Sequence, residues 1–175
     1  YKRQQHARQA REIRLALRRS EDSLQQLAAL TAASSRLGAA LERGEPDGIV
    51  AALSSQWPTL QLDAGIDEVL VFSARGAPLA VWGESQEQNG RPIQAWVSQV
   101  MDSERPLTAL RCASNCRQYA VVPALVEGKS VGTVILSRSL ADVTRQVQQV
   151  SDSDVALLVI GSDAVPSSPS ARYLP

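Results

Sequence analysis

The stretch Gln118–Ser137, QYAVVPALVEGKSVGTVILS, decides how this chain folds. Two runs rich in β-branched residues, Gln118–Val126 and Ser130–Ser137, flank Glu127-Gly128-Lys129, a spacing that predicts two strands joined by a tight turn. Upstream, Leu107–Arg111 reads as a further strand, so residues 107–137 form a three-strand meander. Downstream, Ser139 reads as a helix N-cap with Asp142 three residues on, predicting a helix to about Val150. Asp154–Ile160 is expected as another strand, and the Ser/Pro/Ala-rich end, Ala164–Pro175, as irregular.

Working toward the N-terminus, Pro92 opens an expected helix through Ser103 with Ile93, Trp96, Val97 and Val100 on one side. A polar loop, residues 83–90, precedes it. Before the loop lies a predicted hairpin: Asp67–Ser73, a turn at Ala74–Ala77, and a returning strand Pro78–Trp82. Residues 47–56 form a short expected helix, closed by Trp57-Pro58 because proline disfavours the helical region for the residue before it. Residues 5–43 lack proline and contain one glycine, Gly38, among strong helix formers. They predict one continuous helix ending near Arg43-Gly44. Its apolar seam (Ile13, Leu17, Leu24, Leu27, Leu41) is interrupted by Ser20, Thr31, Ser34 and Gly38. The expected helix packs its C-terminal half on the domain, projects its N-terminal half, and pairs weakly with a second copy.

The order of elements gives an α+β domain of PAS-like type, with five antiparallel strands and helices on one face. The expected divisions are a long helix at 1–45, a compact module at 46–150, and residues 151–175 as a tail or the start of a second module.

Composition excludes a good deal. The 175 residues carry 18 basic and 18 acidic side chains and a single histidine, His6, which removes His-based triads, His metal clusters and most proton shuttles. No paired carboxylates at catalytic spacing, Gly-x-Ser-x-Gly elbow or glycine-rich phosphate turn is present. No nucleophile–base–stabiliser constellation forms, so no catalytic residue, metal site or cofactor is expected. The balanced charge hides an asymmetry. Residues 1–19 hold seven basic groups (Lys2, Arg3, Arg8, Arg11, Arg14, Arg18, Arg19) against Glu12, and the rest of the chain is net acidic. Nucleic acid is disfavoured, because only Tyr1 could stack on a base and no base-reading module follows. The apolar runs are too short to span a bilayer and the first twenty residues lack a signal-peptide core. The chain reads as a piece of a longer protein, touching a membrane only through flanking segments.

Cys112 and Cys116 are the only cysteines. Their three-residue loop joins two predicted strands, which favours a structural disulfide, with free thiols of a cytosolic protein as the alternative. The spacing is wrong for a redox pair and the ligands are too few for zinc. Trp82, Trp96 and Tyr119 either line a small-molecule pocket or fill the core. Arg111, Arg117 and Arg138 sit at strand ends, where a planar fork could meet an anion or simply be solvated. Arg111 is the polar anchor nearest the aromatic set. Asp63, Asp67 and Glu68 read as a solvated strand entry rather than a calcium loop.

The hairpin EVLVFSARGAPLAVWG (Glu68–Gly83) and the run RCASNCRQYAVVPALVEGKSVGTVILSRSLADV (Arg111–Val143), after a long helix, resemble the extracytoplasmic Cache sensor domains, in particular the double-Cache group. The resemblance covers about residues 10–160. It implies a non-enzymatic, periplasmic signal- or ligand-sensing part of a bacterial inner-membrane receptor with a histidine kinase, cyclic-dinucleotide or chemotaxis output. It also implies that Asp154–Ile160 opens a second module. The Arg-Trp-Tyr-rich pattern by which many double-Cache receptors hold amino acids is missing, so amino-acid sensing is not expected. The competing reading is a structural dimerisation or protein-interaction module without a small ligand.

Overall fold

A computed structural model describes residues 2–83, 92–112 and 116–141, together with the backbone of residues 158–159 and 172–173. Four helices open the chain: α1 (Lys2–Ala32), α2 (Ser35–Arg43), α3 (Pro46–Ser54) and α4 (Trp57–Leu62). A hairpin follows, β1 (Glu68–Ser73) and β2 (Pro78–Gly83), then α5 (Ile93–Ser103) and the meander β3 (Leu107–Cys112), β4 (Cys116–Val126) and β5 (Lys129–Ser139). The five strands form one antiparallel sheet in the order β2-β1-β5-β4-β3. The β4–β5 turn is as short as its sequence demands. Glu127 and Gly128 both have positive φ (50° and 78°), as a two-residue hairpin loop requires, between the paired Val126 and Lys129.

Three expectations change. The N-terminal helix is not continuous to residue 43: α1 ends at Ala32, Ser34 leaves helical geometry (φ −58°, ψ 123°), and its hydroxyl accepts the Leu37 N–H. Ser34 is therefore the N-cap of a second helix. Trp57-Pro58 does not close a helix but opens α4, with proline in the first turn where its missing N–H leaves no bond unmade. Helices cover both faces of the sheet rather than one. Helices α1 to α4 pack on the face carrying Val69, Val71, Ala120, Val122, Ala124, Val134 and Leu136. Helix α5 packs Val97 and Val100 on the opposite face, against Leu70, Phe72, Tyr119, Val121 and Ile135. Strict alternation along β1, β4 and β5 divides the two sets.

The seam of α1 faces its own sheet. Leu24 and Ala28 are 0% exposed, and burying a leucine this completely stabilises the fold by about 1.5–3 kcal/mol. The interruptions of that seam are also contacts. Ser20 and Thr31 are buried, and a Cβ on Gly38 would lie 2.8 Å from Val126, so only glycine lets α2 come this close to β4. From Lys2 to Glu12 the helix is exposed, apart from half-buried Ala10, and projects as expected. Leu24 is closed off by its own domain, and half-buried Leu17 packs toward Cys116 and Leu140.

Residues 142–150, where the last helix is expected, lie outside the described residues. Strand β6 (Leu158–Val159) falls within the expected 154–160 strand. It pairs antiparallel with β7 (Arg172–Tyr173), in a segment read from sequence as irregular.

Candidate functional site

Alternation along the sheet places functional side chains in rows. Ala109, Tyr119, Ser137 and Glu68 are successive cross-strand partners, on the face covered by α5. The next row on that face is Arg111, Arg117 and Ser139. Trp96 comes down from α5 onto Tyr119, with ring centroids 5.0 Å apart and planes at 50°. A tilted aromatic pair of this kind contributes about 0.5–1.5 kcal/mol beyond its area. The apolar floor therefore gives way, toward the β3–β4 turn, to a polar end containing two arginines and a carboxylate.

That polar end is buried chemistry. Glu68 is 0% exposed, and the Ser137 hydroxyl, also fully buried, donates to its Oε1 at 3.3 Å. Glu68 is thus not part of a solvated strand entry, unlike exposed Asp63. Asp67 binds locally instead, its Oδ2 accepting the Ser139 N–H at 2.6 Å. Arg117 is half-buried, and its Nη1 is buried with no hydrogen-bond partner among the described residues. A guanidinium N–H removed from water and left unmatched is costly, about 1–3 kcal/mol or more for a charged group.

The three aromatic candidates do not come together. Trp96 and Tyr119 share the α5 face, with Arg111 one row away. Trp82 pairs with Val69 in register and packs with the α1–α4 core on the other side of the sheet. The bulge between Val71 and Phe72 and the register of the hairpin set that outcome, and neither is written in the tryptophan's own neighbourhood.

The opposite face of β4 holds the helix. Ser20 Oγ donates to Gln118 Oε1 at 2.6 Å, Gln118 Nε2 donates to the Leu17 carbonyl at 3.3 Å, and Arg138 Nη2 donates to the Ser20 carbonyl at 2.5 Å. Arg138 is therefore a structural tie rather than a solvated end. At the sheet's edge, Thr108 Oγ1 donates to Glu21 Oε1 at 2.5 Å. Cys112 and Cys116, direct partners across β3 and β4, form a disulfide with Cα atoms 4.0 Å apart, slightly closer than the usual bridging range. Cys116 is buried beside Leu140 and packs on Ala16 and Leu17. Residues Glu68, Ser137 and Gln118 were absent from the sequence-based site. Their signal was parity: a charged or amide residue sharing a strand face with apolar neighbours must find partners there.

A shallow groove of about 370 Å³ lies between α2 and α3, lined by Ser35, Arg36, Ala39, Ala40, Arg43, Gly48, Ala51 and Ala52. Small side chains dominate it and Arg43 is tied to Glu45 at 3.0 Å, so few groups remain to orient a ligand. No cluster of three or more potential metal ligands occurs among the described residues, and no helix among them is long and apolar enough to cross a membrane.

The geometry has known relatives. The chain superposes on the sensor domain of the Vibrio cholerae histidine kinase DctB with a TM-score of 0.65 at 13% identity, covering 83% of this chain and 58% of that one. It superposes on methyl-accepting chemotaxis protein X with a TM-score of 0.56 at 14% identity, covering 82% and 64%. For the Escherichia coli DcuS sensor domain the TM-score is 0.52 at 16% identity, covering 74% and 98%. The chain thus spans about three fifths of the first two and nearly the whole of the third. At these identities the likeness establishes the shared fold. No curated protein matches the sequence. A profile of the family described as the double sensory domain of two-component sensor kinases matches residues 2–173, nearly the entire length, and the chain belongs to that Cache family.

Proposed function

We propose that this domain is the periplasmic, ligand-sensing part of a bacterial two-component sensor kinase, and that its ligand is a small organic anion bound on the α5 face of the sheet. Cache sensory domains are non-catalytic and serve signal sensing from outside the cytoplasm, so the site's task is recognition rather than turnover. In this reading the anionic group meets Arg117 and Arg111, and the apolar part of the ligand lies against the Trp96–Tyr119 pair. Glu68, two strands from Arg117 and so about 10 Å away, disfavours a second negative charge at the far end. Trp82 takes no part. Strands β6 and β7 begin the second module, in keeping with the fraction of the longer relatives that the chain spans.

One observation carries this reading: the Arg117 Nη1 donor, buried without a partner on the face that also holds the aromatic pair. A thermal-shift screen of small carboxylic, sulfonic and phosphoric acids tests it. A ligand at a hundred times its Kd stabilises the fold by about 2.7 kcal/mol, easily read as a shift in Tm. The expected result is a hit whose affinity falls at least tenfold in Arg117→Gln. Hits that bind Arg117→Gln and Trp96→Ala as tightly as the parent chain would place the ligand elsewhere.

A further inference from the structure

Folding sorts the basic residues of α1. Ile13, Leu17, Ser20, Leu24 and Thr31 turn toward the sheet and are half-buried or buried. At 3.6 residues per turn, Arg8, Arg11, Leu15 and Arg18, each three or four residues from the next, share the opposite face. All four are exposed, and exposed Arg14 and Arg19 flank them. Within this set only Arg8 has a carboxylate partner among the described residues, Glu12 at 3.3 Å, and its side chain is still 83% exposed. Like charges three or four residues apart destabilise a helix, so this row opposes the folding of α1, and among the described residues only the exposed Arg8–Glu12 pair offsets it. The row is left to solvent or to an anion outside the described residues.

We propose that the outward face of α1 from Arg8 to Arg19 is a contact surface for the anionic phosphates of phospholipid headgroups. Six of the seven basic groups in residues 1–19 are arginines, whose planar forks match phosphate oxygens better than an ammonium does. A protein partner would need an apolar or aromatic centre, and Leu15 is the sole apolar side chain in the row. A nucleic acid would need stacking groups, which the row lacks. A charged bilayer surface needs neither, and each arginine near it strengthens binding about fivefold. The proposal is independent of the ligand site on the α5 face.

The test is co-sedimentation of the 175-residue chain, at physiological salt, with vesicles of equal parts phosphatidylcholine and phosphatidylglycerol. Arg8→Gln/Arg11→Gln/Arg18→Gln is compared with Arg36→Gln/Arg75→Gln/Arg105→Gln, which removes the same charge from exposed positions elsewhere. Circular dichroism confirms that both remain folded. The expected result is binding by the parent chain and the control, binding about a hundredfold weaker for the α1 variant, and no binding to pure phosphatidylcholine. Absence of binding by the parent chain, or equal losses in the two variants, overturns the proposal. So does equally tight, Arg8/Arg11/Arg18-dependent binding to soluble poly-glutamate, which would assign the row to an acidic protein.

Discussion

The two faces of the sheet share β1, β4 and β5, yet they are finished differently. On the α1–α4 face the apolar residues are capped by four helices. The polar groups at its end are joined to one another: Ser20 to Gln118, Gln118 to Leu17, Arg138 to Ser20. On the α5 face one helix covers only part of the strands, and beyond Trp96 and Tyr119 come Glu68, Arg111 and Arg117, with a buried donor left unmatched. Natural interiors rarely leave such groups unsatisfied, and the exceptions call for a role. The first face is closed largely by contacts among its own residues. In the reading proposed above, a bound ligand completes the second.

Substitutions can break this contrast, and their expected sizes differ. The largest effect belongs to Leu24→Ala, which opens a cavity on the finished face and costs about 2–5 kcal/mol in urea denaturation. Replacing both Cys112 and Cys116 by serine removes a five-residue covalent loop and costs about 2 kcal/mol, seen equally when a dithiol reductant is added to the parent chain. Gln118→Leu leaves the buried Ser20 hydroxyl without its acceptor and removes the second bond to the Leu17 carbonyl, and costs about 1–2 kcal/mol, while Ser20→Ala/Gln118→Leu recovers part of the loss in a double-mutant cycle. The smallest effect is on the other face. Arg117→Gln leaves stability unchanged or raises it by up to about 1 kcal/mol, since it removes a buried donor that no described residue matches. If Arg117→Gln instead costs as much as Gln118→Leu, the two faces are alike and the binding reading fails. Arg111→Ala is expected to leave the domain folded while abolishing the response of the intact receptor; a normal response removes Arg111 from the site.

The strands were legible because their local and tertiary preferences agree. Tyr119–Val122 and Val134–Leu136 are runs without polar interruption, and β1 adds Val69–Phe72. Such runs also signal burial on both sides. Assigning all helices to one face passed over that signal, and α5, with Trp96, Val97 and Val100, was the element left to cover the other. The break between α1 and α2 was less legible. Ser34 is neutral evidence inside a helix-forming sequence until Leu37 supplies the N–H that makes it a cap. Trp57-Pro58 is ambiguous in principle, because proline follows helix ends and also occupies first turns. The grouping of the candidates was half legible: Trp96 and Tyr119 share a face with Arg111 one row away, while Trp82 lies on the other face because its place depends on a bulge and a register that act at a distance. Polar residues in α1 looked like defects of a coiled-coil seam. They are defects only if the partner is another helix; against a sheet, Ser20 is the correct complement to Gln118.

The alternation of β4 also has a consequence for how such a domain can diversify. Its odd positions, Arg117 and Tyr119, face α5, and its even positions, Cys116 and Gln118, face α1. On the binding reading proposed above, a new specificity is explored at Ala109, Arg111, Arg117, Tyr119 and Ser137 without editing any residue that holds α1. Point substitution is open to that lineage, but a one-residue insertion or deletion in β4 is not. It would turn Arg117 and Tyr119 toward α1 and Cys116 and Gln118 toward α5 in a single step.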